Sequence, residues 1–104
     1  MTLALDDGFE FSAAVDKGDV LGLDMPQPSQ PGYRIEGAAF DPTVFRLDHF
    51  LTYDRDGAPR AQYMFTVLED GASDILIKMR NGESGPVELF KRVSVNVGGN
   101  RGLF

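Results

Sequence analysis

Apolar and polar residues alternate with a period of two in short stretches along nearly the whole chain, and turn residues separate each stretch from the next. Phe9, Phe11, Ala13 and Val15 are interleaved with Glu10, Ser12 and Ala14. Leu21, Leu23 and Met25 alternate with Gly22 and Asp24, and Tyr33 and Ile35 with Arg34 and Glu36. Phe45, Leu47 and His49 fall on one side of the next stretch, which runs to about Tyr53. Ala61, Tyr63, Phe65 and Val67 follow, then Ile75, Ile77 and Met79, then Leu89, Lys91, Val93, Val95 and Val97. A period of two sends one side of a strand to the core and the other to water. No window has apolar residues at helical spacing; the best candidate, Pro42 to Phe50, is rich in β-branched and aromatic residues. Seven or so strands, spaced by turns such as Lys17-Gly18-Asp19, Asp41-Pro42 and Glu69-Asp70-Gly71, predict an all-β, immunoglobulin-like antiparallel sandwich.

With 104 residues the chain supports one domain and one core, with little left to enclose a large cavity. There is no cysteine, which excludes disulfides, thiolate metal sites and thiol nucleophiles. The formal net charge of −6 disfavours nucleic acid or an anionic membrane as the main partner, because both demand a basic face. No apolar run approaches the roughly 18 residues of a membrane span. The opening Met1-Thr2-Leu3-Ala4-Leu5 lacks the basic start of a signal peptide, and the expectation is a cytoplasmic protein or a mature extracytoplasmic domain.

Catalytic chemistry finds no footing. His49 is the single histidine, and nothing in its surroundings pairs it with a nucleophile and an orienting acid. Asp54-x-Asp56-Gly57 opens like a calcium loop, but Ala58 stands where a third ligand is needed and the glycine comes too early. A plain Asp-Gly turn accounts for it. No phosphate-binding glycine pattern is present. The chain is therefore expected to be a binding protein rather than an enzyme, with no cofactor and no metal.

The most unusual stretch is Met25-Pro26-Gln27-Pro28-Ser29-Gln30-Pro31-Gly32-Tyr33, with three prolines between two strands. Such a stiff loop loses little entropy when it docks. The order of features around it resembles the chagasin family, immunoglobulin-like inhibitors of papain-like cysteine peptidases. The matching residues are Gly18-Asp19, Leu21-x-Leu23, Gly32-Tyr33, Asp41-Pro42-Thr43-Val44, Phe65-Thr66-Val67, Gly71, Ile75-Leu76-Ile77, Arg80 and Val93-Ser94-Val95, spread over residues 9–98. The resemblance implies three binding loops at one end of the sandwich. Gln27, Pro28, Ser29, Gln30 and Gly32 would form the first. Gly57 and Arg60 would mark the second, where the family has a glycine cluster. Arg80 would begin the third, which lacks the family's following Pro and Trp. The partner implied is a papain-like cysteine peptidase. The rival reading is an immunoglobulin-like assembly or adhesion domain.

The expected organisation is an extension over residues 1–8, the sandwich over 9–98, and a flexible tail over 99–104. The tail ends on Leu103-Phe104, and self-association through it or through an edge strand is a further expectation.

Overall fold

The computed structural model describes residues 1–98; the expected tail lies outside them. Eight strands form two four-stranded sheets, with no helix among the described residues. The strands are β1 (Thr2–Ala4), β2 (Glu10–Val15), β3 (Val20–Pro26), β4 (Tyr33–Ala39), β5 (Phe45–Arg55), β6 (Ala58–Val67), β7 (Gly71–Asn81) and β8 (Val87–Val97). One sheet runs β1-β3-β6-β5 and the other β2-β8-β7-β4. The all-β sandwich read from the alternation is therefore the observed fold.

The core forms where the inward positions of the two sheets meet. Leu21, Leu23 and Met25 of β3 lie beside Phe65, Tyr63 and Ala61 of β6, each of them buried. They face Ile75 and Ile77 of β7 and Val93, Val95 and Val97 of β8. Aromatic rings fill the centre: Phe65 meets Phe40 edge-on at 5.1 Å and Phe45 at 5.9 Å. Phe11 and Tyr33, expected inside with these residues, are only partly buried because they stand near the rim.

In β8 the ladder skips Phe90, so Leu89 pairs with outward Lys78 and does not share the side of Lys91 and Val93. Two further features depart from the sequence reading. The first is the eighth strand, which comes from the segment taken as an N-terminal extension. β1 pairs with β3, and Leu5 just beyond it is completely buried. The chain then crosses to the other sheet, where β2 pairs with β8. Both of these pairings are parallel, while the remaining four are antiparallel. The crossing explains this: β1 runs towards the end where β3 finishes, and β2 returns from that same end. The crossing segment, residues 5–9, forms a strap tied to β3 by the Leu5 N–H donating to the Asp24 carbonyl (2.8 Å), and to β8 by the Arg92 N–H donating to the Phe9 carbonyl (2.9 Å).

The second departure is in β5, where Phe45, Leu47 and His49 do not share a side. The ladder shifts at Asp48, so Leu47 pairs with Phe65 on the inner face and His49 with Met64 on the outer. A bulge inserts one residue and reverses the alternation beyond it. β5 is also an edge strand, and Leu47, Phe50 and Leu51 are each about two-fifths exposed.

Leu5 offers a direct check on the extent of the domain. Leu5→Ala is expected to cost about 2–5 kcal/mol, as for a buried leucine elsewhere. The loss would be read as a lower urea midpoint at unchanged slope. A midpoint that does not move would return residues 1–8 to the status of a dispensable extension.

Candidate functional site

Three loops meet at one end of the sandwich: residues 27–32 between β3 and β4, the tip of the β5–β6 hairpin, and residues 82–86 between β7 and β8. Strand directions alone bring them there, since β3, β5 and β7 finish at this end and β4, β6 and β8 start from it.

The β3–β4 loop spans the gap between the sheets and is fastened on both sides. On one, the Gln27 N–H donates to the Pro59 carbonyl of β6 (3.1 Å); on the other, the Gly82 N–H donates to the Gly32 carbonyl (3.0 Å). Its last residues form a tight turn, closed by the Tyr33 N–H donating to the Gln30 carbonyl at 3.2 Å. Pro31 occupies the second position of that turn and Gly32, at φ +84°, the third, the arrangement of a type II turn. Gly32 is doubly constrained, because a Cβ there would lie 2.6 Å from the Asn81 Oδ1. Ser29, Gln30, Pro31 and Gly32 are exposed at the crest, while Gln27 and Pro28 are half-buried.

The second loop is tighter than its composition suggests. β5 and β6 pair through Arg55 and Ala58, so only Asp56 and Gly57 form the turn. Both have positive φ, +52° and +81°, which matches a type I′ hairpin with its Asp-Gly preference. Gly57 sits at the exposed tip. Among the described residues no three or more His, Asp or Glu side chains gather in a way that could hold a metal ion.

Arg60 occupies a different place from the other loop residues. It lies within β6 and is only 7% exposed. Its guanidinium donates to Asp24 Oδ1 through Nε (2.9 Å) and to Asp6 through Nη2 (2.8 Å) and Nη1 (3.2 Å). Asp24 is 6% exposed on the outer side of the sheet, where the Tyr53 hydroxyl and the Gln62 amide (3.3 Å) also donate to it. Arg60 thus holds the strap against the sheet beneath the loops. Its neighbours keep it protonated far above any physiological pH, led by the Asp6 hydrogen bonds. In return Arg60 holds the Asp6 carboxyl below its usual value of 3.8. From the opposite sheet, buried Lys91 donates to the Gly8 carbonyl at 2.7 Å, with the rings of Phe11 and Phe90 at 5.6 and 5.1 Å. Burial lowers the Lys91 pKa, partly offset by Asp6 and Asp7.

Arg80 lies on β7, directly across from Arg34 of β4. Glu36 lies between them, 3.3 Å from Arg80 and 3.8 Å from Arg34. Arg80 also donates to the Glu83 carbonyl (3.2 Å) and Arg34 to the Gly82 carbonyl (3.4 Å), so both brace the third loop. Beside the loop end a cleft of about 480 Å³ opens between Gln27, Arg34, Thr52, Tyr53, Asp54, Pro59 and Arg60. Sequence reasoning reads Asp6, with Asp7 and Glu10, as a solvated acidic edge, and it does not single out Asp24, Tyr53 or Arg34. Asp24 reads there as an ordinary outward residue between Leu23 and Met25.

No protein-family model matches the chain, and no curated protein matches it in sequence. Solved structures do match in fold. The cysteine protease inhibitor EhICP2 from Entamoeba histolytica superposes with a TM-score of 0.64 at 14% identity, covering 86% of this chain and 93% of the inhibitor. PbICP-C, solved in complex with falcipain-2, superposes with a TM-score of 0.62 at 13% identity, covering 90% of this chain and 98% of that one. The chain therefore shares the fold of the chagasin-type inhibitors that its strand and turn order resembles.

The buried ion cluster makes two measurable demands. Arg60→Ala leaves buried Asp24 with only the exposed Arg55, 3.9 Å away, and is expected to cost about 3–5 kcal/mol in urea denaturation; a loss below about 1 kcal/mol would place the pair among ordinary surface bridges. Asp6 provides a pH test. Its folded pKa is below the unfolded one, so its contribution is complete above the unfolded value and lost as pH falls through the folded one. Asp6 is half-exposed, and the effect is correspondingly modest. The gap in melting temperature between the native chain and Asp6→Asn should be widest above about pH 5 and shrink progressively as pH falls below about 4. A gap that stays constant over that range would remove Asp6 from the linkage.

Proposed function

We propose that this chain is a non-enzymatic binding protein that inhibits papain-like cysteine peptidases through the three-loop end of its sandwich. The observation that carries the reading is the fastening of the β3–β4 loop between the other two, on a fold shared with inhibitors of such peptidases. A loop held at both ends by backbone hydrogen bonds, and stiffened by Pro28 and Pro31, has few conformations to lose on binding. The crest of Ser29, Gln30 and Gly32 is the central contact in this reading. Ser29 or Gln30 hydrogen-bonds near the catalytic cysteine, and Gly32 lets the backbone approach closely. Gly57 at the hairpin tip and Arg80 beside the third loop flank it. Pro28, Gln27 and Arg60 act from below, holding the crest in place.

The third loop continues from Arg80 as Asn81-Gly82-Glu83, without a large aromatic anchor. Losing one such anchor typically costs about 2 kcal/mol, some thirtyfold in affinity. Binding is accordingly expected to be weaker than for a chain that has one. The test is titration of papain and of a cathepsin-like peptidase with micromolar protein. Reversible inhibition is the expected result, with the joint change Ser29→Ala and Gln30→Ala raising the inhibition constant about tenfold or more. No inhibition of either peptidase by the native chain would overturn the reading and favour an assembly domain.

A further inference from the structure

The cleft beside the loop end has walls of opposite charge that do not meet. One wall is the inner face of the β5–β6 hairpin. On β6 the inner positions are buried as far as Ala61, but Pro59 beyond it and its β5 neighbours Thr52 and Asp54 are exposed, so the hairpin overhangs the opposite sheet. The other wall carries Arg34 of β4, and the Gln27 side chain lies at the root of the central loop. Arg34 is half-exposed, and its contacts with Glu36 and the Gly82 carbonyl are long, at 3.8 and 3.4 Å. Asp54 makes no hydrogen bond or ion pair among the described residues, and neither do the side chains of Thr52 and Gln27. This contrasts with Tyr53 between them, whose hydroxyl is engaged with Asp24 on the other face of the strand.

We infer that this cleft receives an extended main-chain segment of the bound peptidase; the inference rests on the inhibitor reading above. The reasoning follows from the donor and acceptor inventory. The Asp54 carboxylate only accepts and the Arg34 guanidinium only donates, while the Gln27 amide and the Thr52 hydroxyl do both. A guest with a single charge would be attracted by one wall and repelled by the other. A polypeptide backbone offers one N–H and one C=O per residue and satisfies both walls at once. Its N–H groups would donate to Asp54 and its carbonyls accept from Arg34 and Gln27, with the Pro59 ring as the apolar floor. The volume of about 480 Å³ is within the range of ordinary binding clefts and open enough for a chain to lie across it.

Papain is the probe, with native protein, Asp54→Ala and Arg34→Ala compared for inhibition constant and melting temperature. Both side chains are exposed, so the melting temperature is expected to hold. Each substitution is expected to raise the inhibition constant about tenfold, as for the loss of a hydrogen bond to a charged group. If the native chain inhibits and both variants stay within about twofold of it, the cleft is empty in the complex and this inference falls while the loop reading stands. An effect of Asp54→Ala alone would mean a basic side chain in the cleft, and of Arg34→Ala alone an acidic one or the loss of its hold on the third loop; either overturns the main-chain assignment. Failure of the native chain to inhibit overturns the inhibitor reading and, with it, the cleft.

Discussion

Asp24 sits in the middle of a strand whose other face lines the core, and it is nearly as buried as its apolar neighbours. A carboxylate in that position is tolerable only if its charge and lone pairs are met. Arg60, Tyr53 and Gln62 meet them, all delivered by the two strands that continue the sheet beyond β3. Arg60 then reaches past Asp24 to Asp6, so the same guanidinium fastens the strap that closes this end of the sandwich. Lys91 does the equivalent from the opposite sheet through the Gly8 carbonyl. One cation from each sheet therefore holds the segment on which the rim of the core depends. Such pairs add little net stability compared with apolar packing; their strength is that breaking them is costly, which fixes one arrangement.

The loops above this platform are ordered by backbone geometry more than by side-chain contacts. The type I′ turn at Asp56-Gly57 sets the register of the β5–β6 hairpin, and the Pro31-Gly32 turn sets where the central loop ends. Between those turns, Gln27 and Gly32 tie the central loop to both neighbours. The loop end is thus held in one arrangement by the chain's own backbone. Arg34 and Arg80, opposed across two strands, would repel each other without Glu36, and their donation to the third loop's carbonyls gives that otherwise unfavourable pair a structural role.

Much of this architecture is legible in the linear pattern, for a physical reason. Alternation at Leu21-Leu23-Met25, Tyr63-Phe65-Val67 and Val93-Val95-Val97 reports the face of a strand directly, because side chains in a strand have no other way to separate core from water. The Asp-Gly and Pro-Gly pairs report turns because few other residues adopt positive φ. The pattern misled where a single residue changed the phase: the bulge at Asp48 turned His49 outward, away from Phe45 and Leu47. It was also silent on β1, whose three residues are too short for any period to show.

The local chemistry of the chain alone determined that it is a β-sandwich, where its strands turn, and that its central loop is stiff. Those properties arise within a few residues of one another, through side-chain periodicity and the restricted φ of proline and the permissive φ of glycine. Only the tertiary structure decided that Arg60 is a buried brace beneath the second loop, that Asp24 is its counterion 36 positions away, and that Arg34 and Asp54 face one cleft. Burial and ion pairing depend on which strands become neighbours and on what crosses over them. That information belongs to the pairing of β3, β5 and β6 and to the path of the strap, and no short stretch of sequence contains it.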